Sequence, residues 1–301
     1  MAESGQFHLE ILDKISDVAA SEWNRLLCDD SDPFLRHEFL SALEETDCVG
    51  KDTGWQIAHL ILKRNTELIG AMPLYLKQHS YGEYVFDWSW AQAYEQQGMN
   101  YYPKVLCAIP FTPVQGSRLL FKPGIDKGLI YSQLISGLKS LVIDNQLSSA
   151  HVLFPQKDEA KILNAQGFLP RDSIQFHWHN QGYQSFEQFL SSLTLKRRKN
   201  IRREREIVAR QNISFRHIPG GASTDHDWEF FYACYANTYF EHQAQPYLNE
   251  SFFKLWAKRL PENMHLIVAE RNGIPIASSL LVIDTMMSKA YGRYWGALEH
   301  I

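Results

Sequence analysis

The chain repeats part of its own sequence, and this repeat limits the folds available to it. The segment PFLRHEFLSALEE, which starts at Pro33, shares its pattern with PYLNESFFKLWAK, which starts at Pro246. Each has a proline, an aromatic residue and a leucine, followed by polar residues and a phenylalanine that belongs to an amphipathic helix. Similarity of this kind within one chain indicates two copies of one structural unit.

A second pair of blocks follows the first pair in the same order. HLILKRNTELIGAMPLYL in the first copy corresponds to HLIVAERNGIPIASSLLV in the second. In both, an apolar strand reaches a turn at an asparagine, Asn65 or Asn272, and a second strand follows. Because both pairs are separated by nearly the same number of residues, we predict two domains in tandem, residues 1–180 and residues 181–301.

The remainder of the first copy predicts strands and helices in alternation. Residues 104–111 and 150–154 are apolar enough for short buried strands, and residues 130–146 carry apolar side chains at helical spacing. The segment KDEAKILNAQGFLP predicts a helix that ends at Gly167, and IQFHWH at 174–179 predicts a closing strand. The expected fold class is therefore α/β, or α+β, with a mostly antiparallel start.

The length, charge and cysteine content of the chain exclude several classes of protein. The 301 residues include 30 basic and 34 acidic side chains, a formal net charge of −4, so the chain is not built to coat a polyanion. Residues 1–6 carry no basic n-region, and no apolar run approaches about 18–20 residues, so we expect no membrane span and a cytoplasmic location. The four cysteines lack a CxxC pair, which is typical of reduced thiols.

One segment carries most of the local positive charge. LKRRKNIRREREIVAR, residues 195–210, holds eight lysine or arginine residues and two glutamates. A nucleic-acid arm, a localisation signal or a helix of the fold would each account for it. Ile201 and Val208 lie seven residues apart and share one helical face, which favours an amphipathic helix with a side toward the core. The cations expected to meet phosphates on its other faces are Lys196, Arg197 and Arg203.

The segment CAIPFTPVQGSRLL has the residue types of an anion-binding loop. Gly116 would let the backbone approach a ligand, and Arg118 adds a positive charge. Gln115 and Ser117 complete the candidate loop. A proline-rich surface loop with a glycine turn is the alternative interpretation.

Two aromatic clusters are candidates for a substrate cleft. The first, YVFDWSWAQAYEQQGMNYYP at 84–103, surrounds Asp87, and the second, YGRYWGALEH at 291–300, includes Glu299 and His300. Either carboxylate could accept a proton from an attacking amine. Packing between domains would give the same composition. The other candidate residues are Trp88, Trp90, Tyr94, Arg293, Tyr294 and Trp295.

The FHWH segment does not predict a metal centre. His177 and His179 would share one face of a strand, but no third ligand lies nearby in the sequence. We therefore predict no metal site.

The motifs together resemble those of the FemAB-like N-acyltransferases. The similarity rests on SDPFLRHEFLSALEE, PFTPVQGSRLL, SSAHVLFP, QGFLPRDSIQFHWHNQGY, KRRKNIRRERE, QPYLNESFF and YGRYWGALE, in that order, and spans residues 7–301. The resemblance implies tandem GNAT-like acyltransferase domains. Since members usually continue past the last motif, it also implies that the second domain is truncated at its C-terminus.

The resemblance further implies a bacterial enzyme of peptidoglycan biosynthesis. Such an enzyme would transfer an acyl or aminoacyl group from acyl-CoA or aminoacyl-tRNA to an amine, without a tightly bound cofactor. Asp87 or Glu299 would be its base, and Arg118 and Arg293 would join the basic helix in meeting phosphates. The alternative is a non-catalytic protein that uses the basic helix to bind RNA or an anionic cell-wall precursor. The oligomeric state stays open.

Overall fold

A computed structural model describes residues 6–28 and 32–299 of the protein. His300, predicted to belong to the second aromatic cluster, lies outside these residues. The strands, in chain order, are β1 (Phe7–Leu12), β2 (Trp55–Ile57), β3 (His59–Arg64), β4 (Glu67–Met72), β5 (Leu74–Lys77), β6 (Lys104–Cys107), β7 (Leu120–Phe121), β8 (Ala150–Val152), β9 (Ile213–Pro219), β10 (Met264–Arg271), β11 (Ile274–Asp284) and β12 (Lys289–Ala297).

The α-helices lie between these strands in the chain. In chain order they are α1 (Ala20–Asn24), α2 (His37–Glu45), α3 (Trp88–Gln96), α4 (Lys127–Asp144), α5 (Lys157–Ala165), α6 (Phe186–Ser191), α7 (Leu195–Arg210), α8 (Asp225–Glu241) and α9 (Glu250–Arg259). Along the described ranges, none of these helices has the length and apolar content to cross a bilayer.

The strands of the described residues form three four-stranded sheets. Two belong to the first half of the chain, up to residue 180, with strand orders β1-β3-β4-β7 and β2-β5-β6-β8. The third belongs to the second half and has the order β12-β11-β10-β9. Neighbouring strands are antiparallel except for β6 and β8, which are parallel. The predicted mixed α/β class is confirmed.

The repeat found in the sequence is also present in the backbone. A helix precedes a hairpin in each half, α2 before β3–β4 and α9 before β10–β11. Both hairpins turn at an asparagine with positive φ, 56° at Asn65 and 54° at Asn272, a conformation that asparagine tolerates better than most residues. Both also contain a β-bulge, which leaves Ile69 or Ile276 without a direct partner, four residues after that asparagine.

The two halves share one apolar core where α2 packs on α9. The ring of Phe39 lies 4.8 Å from that of Trp256 and 5.7 Å from that of Phe252, edge to face in both cases. Beside these rings, the Arg259 guanidinium donates a 2.9 Å hydrogen bond to the Ser41 hydroxyl. The halves are therefore joined by buried aromatic packing, while the predicted boundary at residue 180 stays a prediction.

The prediction of a strand at residues 174–179 is wrong. This segment pairs with no described strand, and Phe176 is 97% exposed. Side chains hold the segment to the first half instead: the Gln175 amide donates to the Pro113 carbonyl at 2.7 Å. Alternation alone does not make a strand, because a strand also needs a hydrogen-bonded neighbour, and this segment has none among the described strands.

Helix α8 lies directly against β12, and the contact requires a glycine. A methyl group added at Gly296 would stand 1.9 Å from the Cys234 carbonyl oxygen, which belongs to the backbone of α8. Gly292, on the same strand, has nothing within 4 Å of the equivalent position.

We expect Gly296→Ala to lower the free energy of unfolding by about 1–3 kcal/mol or more, because the helix backbone must move. Gly292→Ala serves as the matched control and should stay within about 0.5 kcal/mol of the unmodified protein. Urea unfolding of both variants measures the difference. Equal stabilities would contradict this packing of α8 on β12.

Candidate functional site

The predicted phosphate-binding loop is part of the core. The Arg118 side chain is fully buried, and backbone carbonyls accept hydrogen bonds from it: Leu153 from Nε at 2.7 Å, Ser117 from Nη1 at 2.8 Å and Val114 from Nη2 at 2.6 Å. These contacts fix the loop and leave the guanidinium turned inward. They do not favour the predicted phosphate-binding role of Arg118.

Gly116 serves close packing in the same loop. A methyl group there would stand 2.3 Å from a carboxylate oxygen of the buried Asp32. Burial raises the pKa of Asp32 to about 6, although the Arg118 charge acts to lower it. Ser117 is buried and Gln115 is exposed, with its amide donating to the Pro155 carbonyl. A role for the loop in donor binding stays a prediction, and this geometry gives it little support.

Asp87 is one of the two predicted bases, and it belongs to a buried ionic cluster. The Lys104 ammonium donates to Asp87 at 2.6 Å, to Glu83 at 2.9 Å and to the Ser80 hydroxyl at 2.8 Å. Burial acts to raise the pKa of Asp87, but hydrogen bonds from Lys104 and the Tyr101 hydroxyl outweigh it and hold this pKa below its usual value. A carboxylate held in this way is a weak base.

Glu299, the second predicted base, lies in a different network. It is exposed and accepts a 2.8 Å hydrogen bond from Arg271. The structure therefore does not bring Glu299 and Asp87 together in one site.

The predicted aromatic residues are likewise divided between two places. Trp88, Trp90 and Tyr94 lie on α3, which buries none of its residues. A pocket of about 410 Å³ lies between α3 and the segment 99–102. In the second half, Tyr294 packs on core aromatic rings, whereas Trp295 is 65% exposed.

The basic helix α7 is confirmed as a helix, but it lies on the surface. Ile201 and Val208 are only half-buried, and α7 buries none of its residues. The helix is attached by polar contacts: Arg205 stacks over the Phe186 ring at 4.5 Å, and Arg202 forms an ion pair with Glu187. The predicted phosphate-binding residues on it, Lys196, Arg197 and Arg203, are all exposed.

Arg293 joins the two halves because of a β-bulge. Leu280 pairs with Tyr294, and the next residue of β11 pairs with Gly292, so Arg293 is the extra residue of β12. Such a bulge redirects a side chain. Here the guanidinium crosses to the first half and donates a 2.7 Å hydrogen bond to the Phe111 carbonyl. Arg293 is thus engaged within the protein, although its buried Nε has no partner among the described residues.

A groove of about 440 Å³ lies where the two halves meet, beside Phe111. We call it the junction groove. Phe111 stacks on Tyr247 of the second half, with the ring planes 12° apart, and its ring lies 5.1 Å from that of Trp55. The groove is lined by Asp47, Cys48, Thr53, Trp55, His79, Tyr81, Phe111, Tyr232, Pro246, Tyr247, Leu248 and Asn249.

The polar groups of the junction groove are few and mostly engaged. The Tyr81 backbone N–H donates to Nδ1 of His79 at 3.2 Å, so Nε2 carries the proton and donates to the Thr53 carbonyl at 3.1 Å. Burial, with the nearby Lys77 charge, lowers the pKa of His79. Asp47 contributes an exposed carboxylate. An apolar cleft with a few polar groups can bind and orient a small reactive group.

Sequence reasoning did not select the residues of the junction groove. One signal was available, since Tyr247 stands in the second copy of the repeat where Phe34 stands in the first. Phe34 packs on Trp256 and Tyr247 on Phe111, so each of the two contacts a ring of the opposite half. His79 and Tyr81 carry no motif, and only tertiary packing brings them there.

Comparison with known proteins decides the family. The model of the FemAB-like family, described as peptidoglycan biosynthesis/recognition, matches residues 14–301. This chain belongs to the FemAB-like family. The resemblance predicted from the motifs is confirmed, and family membership supports an acyltransferase of peptidoglycan biosynthesis. No curated protein matches this chain.

Several solved structures are similar to this FemAB-like chain. FemX is 12% identical, with 93% of this chain and 79% of FemX covered and a TM-score of 0.49. A tandem GNAT protein from the clavulanic acid biosynthesis pathway is 9% identical, with 93% and 75% covered and a TM-score of 0.37. The aminoglycoside N-acetyltransferase AAC(6')-Iy in complex with CoA is 14% identical, with 60% and 98% covered and a TM-score of 0.37.

The two carboxylates first expected to be bases should differ in how much they contribute to stability, because only Asp87 belongs to the buried ionic cluster. Asp87→Asn should lower the free energy of unfolding by about 3–5 kcal/mol, because it removes one partner of a buried ion pair. Glu299→Gln, on the surface, should cost at most about 1 kcal/mol. Urea unfolding measures both. An Asp87→Asn variant of unchanged stability would contradict the structural role of Asp87.

Proposed function

We propose that this FemAB-like chain is an N-acyltransferase whose reaction takes place in the junction groove. The donor would be an acyl-CoA or an aminoacyl-tRNA, and the acceptor an amine of cell-wall peptide metabolism. The observation that carries the proposal is that both halves line one aromatic groove in a chain of this family. A groove of this kind can hold the reacting groups of two substrates side by side, which a transfer reaction requires.

The reaction would be direct attack by the acceptor amine. Its neutral nitrogen bonds to the carbonyl carbon of the donor, the ester or thioester bond breaks, and the amide forms as the nitrogen loses a proton to solvent or to the leaving group. Positioning in an apolar groove supplies much of the rate in such reactions. The aromatic rings of Trp55, Phe111 and Tyr247 would orient the reactants. The Asp47 carboxylate would hold the acceptor as an ammonium ion, which loses its first proton to solvent before the attack.

Arg293 would contribute by fixing the groove. Its hydrogen bond to the Phe111 carbonyl ties the second half to the residue that stacks on Tyr247. The cations on α7, namely Lys196, Arg197 and Arg203, are exposed and would meet phosphates of the donor.

A transfer assay tests the proposal. Acetyl-CoA, longer acyl-CoAs and aminoacyl-tRNA serve as donors, and peptidoglycan-precursor peptides with a free side-chain amine serve as acceptors. We expect amide formation from one donor class. We further expect Arg293→Met to lower kcat/KM by about 10- to 100-fold, because misplaced reactants react slowly.

The matched control is Arg271→Met, which removes an arginine of the same sheet that pairs with Glu299. It should change kcat/KM by less than about twofold. Equal losses in the two variants would contradict the role of Arg293. Absence of transfer from every donor would contradict the enzymatic function.

A second candidate function is favoured by the exposure of α7. Lys196, Lys199 and Arg203 fall on one face of this helix, and all three are exposed. A non-catalytic protein could bind RNA or an anionic cell-wall precursor with this face. Binding that weakens steeply as salt rises, is lost in Lys196→Glu/Arg203→Glu and is accompanied by no transfer would establish this function instead.

A further inference from the structure

A lysine that none of the predicted roles includes lies directly behind the junction groove. Lys77 is the last residue of β5, and its side chain is 0% exposed. It pairs across the sheet with Trp55 of β2 on one side and with Lys104 of β6 on the other. Directly opposite residues of neighbouring strands present their side chains on the same face.

The ammonium of Lys77 contacts two groups of the groove. Its Nζ lies 3.7 Å from the centre of the Trp55 ring and donates a 3.3 Å hydrogen bond to the Tyr81 carbonyl. The indole N–H of Trp55 donates to the same carbonyl at 3.2 Å. One ammonium thus holds both the ring and the turn that carry this side of the groove.

Trp55 belongs to a continuous set of packed rings that crosses the groove. A methyl group added at Gly82, next to Tyr81, would stand 2.6 Å from the Phe111 ring and 3.4 Å from Trp55, so the turn and the two rings have no free space between them. Phe111 in turn stacks on Tyr247. Movement of the Trp55 ring would therefore displace the aromatic residues of both halves.

The charge on Lys77 is poorly compensated. The carboxylates of Glu83 and Asp87 form their hydrogen bonds with Lys104, and among the described residues no carboxylate forms an ion pair with Lys77. The pKa of Lys77 is lowered to about 7: burial is the largest cause, the Lys104 charge acts in the same direction, and Glu83 and Asp87 act to raise it. His79 is the other titratable group that faces it.

We propose that Lys77 is the positioning residue of the junction groove: its ammonium holds Trp55 and Tyr81 in place, and loss of its proton releases them. The inference rests on the proposed function for its consequence, since the groove would bind acceptor best with Lys77 charged. The contact itself exists whatever reaction the protein catalyses.

The indole N–H of Trp55 reports on this contact directly. We would label the tryptophan indoles with ¹⁵N, assign the Trp55 signal by its loss in Trp55→Phe, and titrate the protein from about pH 5.5 to about pH 9. The Trp55 signal should shift with a midpoint near the pKa of Lys77. The Trp23 indole, which donates to the Leu35 carbonyl at 2.9 Å, should stay fixed as an internal reference.

Three variants isolate the cause of the shift. In Lys77→Met the Trp55 signal should no longer titrate, whereas Lys63→Met, which removes a lysine of β3 paired with Glu10, should leave the titration unchanged. His79→Asn should also leave it unchanged. A titration that persists in Lys77→Met, or that disappears in His79→Asn, would overturn the proposal.

The unmodified protein alone also tests the idea. If Lys77→Met does not fold, a Trp55 signal that stays fixed across the pH range in the unmodified protein overturns the proposal. Because no substrate is present, this outcome is separate from that of the transfer assay: transfer without titration contradicts only the role of Lys77, and titration without transfer contradicts only the enzymatic function.

Stability should depend on pH in a defined direction. The pKa of Lys77 in the folded protein lies below its ordinary value of 10.5, so the folded state disfavours the charge. The cost is fully present below about pH 7 and is relieved as pH rises toward about 10. The difference in Tm between Lys77→Met and the unmodified protein should therefore be most favourable to the variant near pH 6 and shrink by pH 9. A constant difference would contradict a buried ammonium at this position.

Discussion

The packing of α2 against α9 is the contact on which the rest of the molecule depends. Phe39 meets Phe252 and Trp256 edge to face, and one continuous apolar cluster runs through both halves. Aromatic rings of this size bury a large area and fix the angle at which two helices meet. With the helices packed in this way, the loop at Phe111 lies beside the segment at Tyr247, and the two rings stack. The junction groove is thus a consequence of how the two repeats pack.

Three basic side chains near this junction are buried, which is uncommon for charged groups. Arg118, Lys77 and Lys104 are all fully buried in the first half, close to the core that the halves share. Buried charges cost free energy unless they are paired, and they tend to be found where position matters more than stability. Lys104 has two carboxylate partners and Arg118 has three carbonyls, so both are compensated. Lys77 has one carbonyl and one ring, so its charge is the least compensated of the three.

Local patterns in the sequence predicted the repeated elements, whereas the packing around the candidate site residues depends on tertiary contacts that the sequence does not reveal. Helix periodicity and the turns at Asn65 and Asn272 are local, so the pattern found them. Apolar and polar residues alternate along 174–179 as they do in a strand. A strand also needs a neighbouring strand to pair with, and the sequence does not show whether one is available. Asp87 and Arg118 have the residue types of a site, yet burial and hydrogen bonding decide their roles. The bulge that directs Arg293 toward Phe111 depends on register, which composition does not reveal.

The central claim is that substrate reacts in the junction groove, and photo-crosslinking with donor analogues tests it most directly. An acyl-CoA that carries a benzophenone and a tRNA charged with benzoylphenylalanine would each be irradiated with the protein, and labelled peptides would be identified by mass spectrometry. The account predicts label in residues 47–55, 79–82, 111 and 246–249 from the donor that supports transfer. Label confined to α3 or α7, with none in these segments, would contradict it.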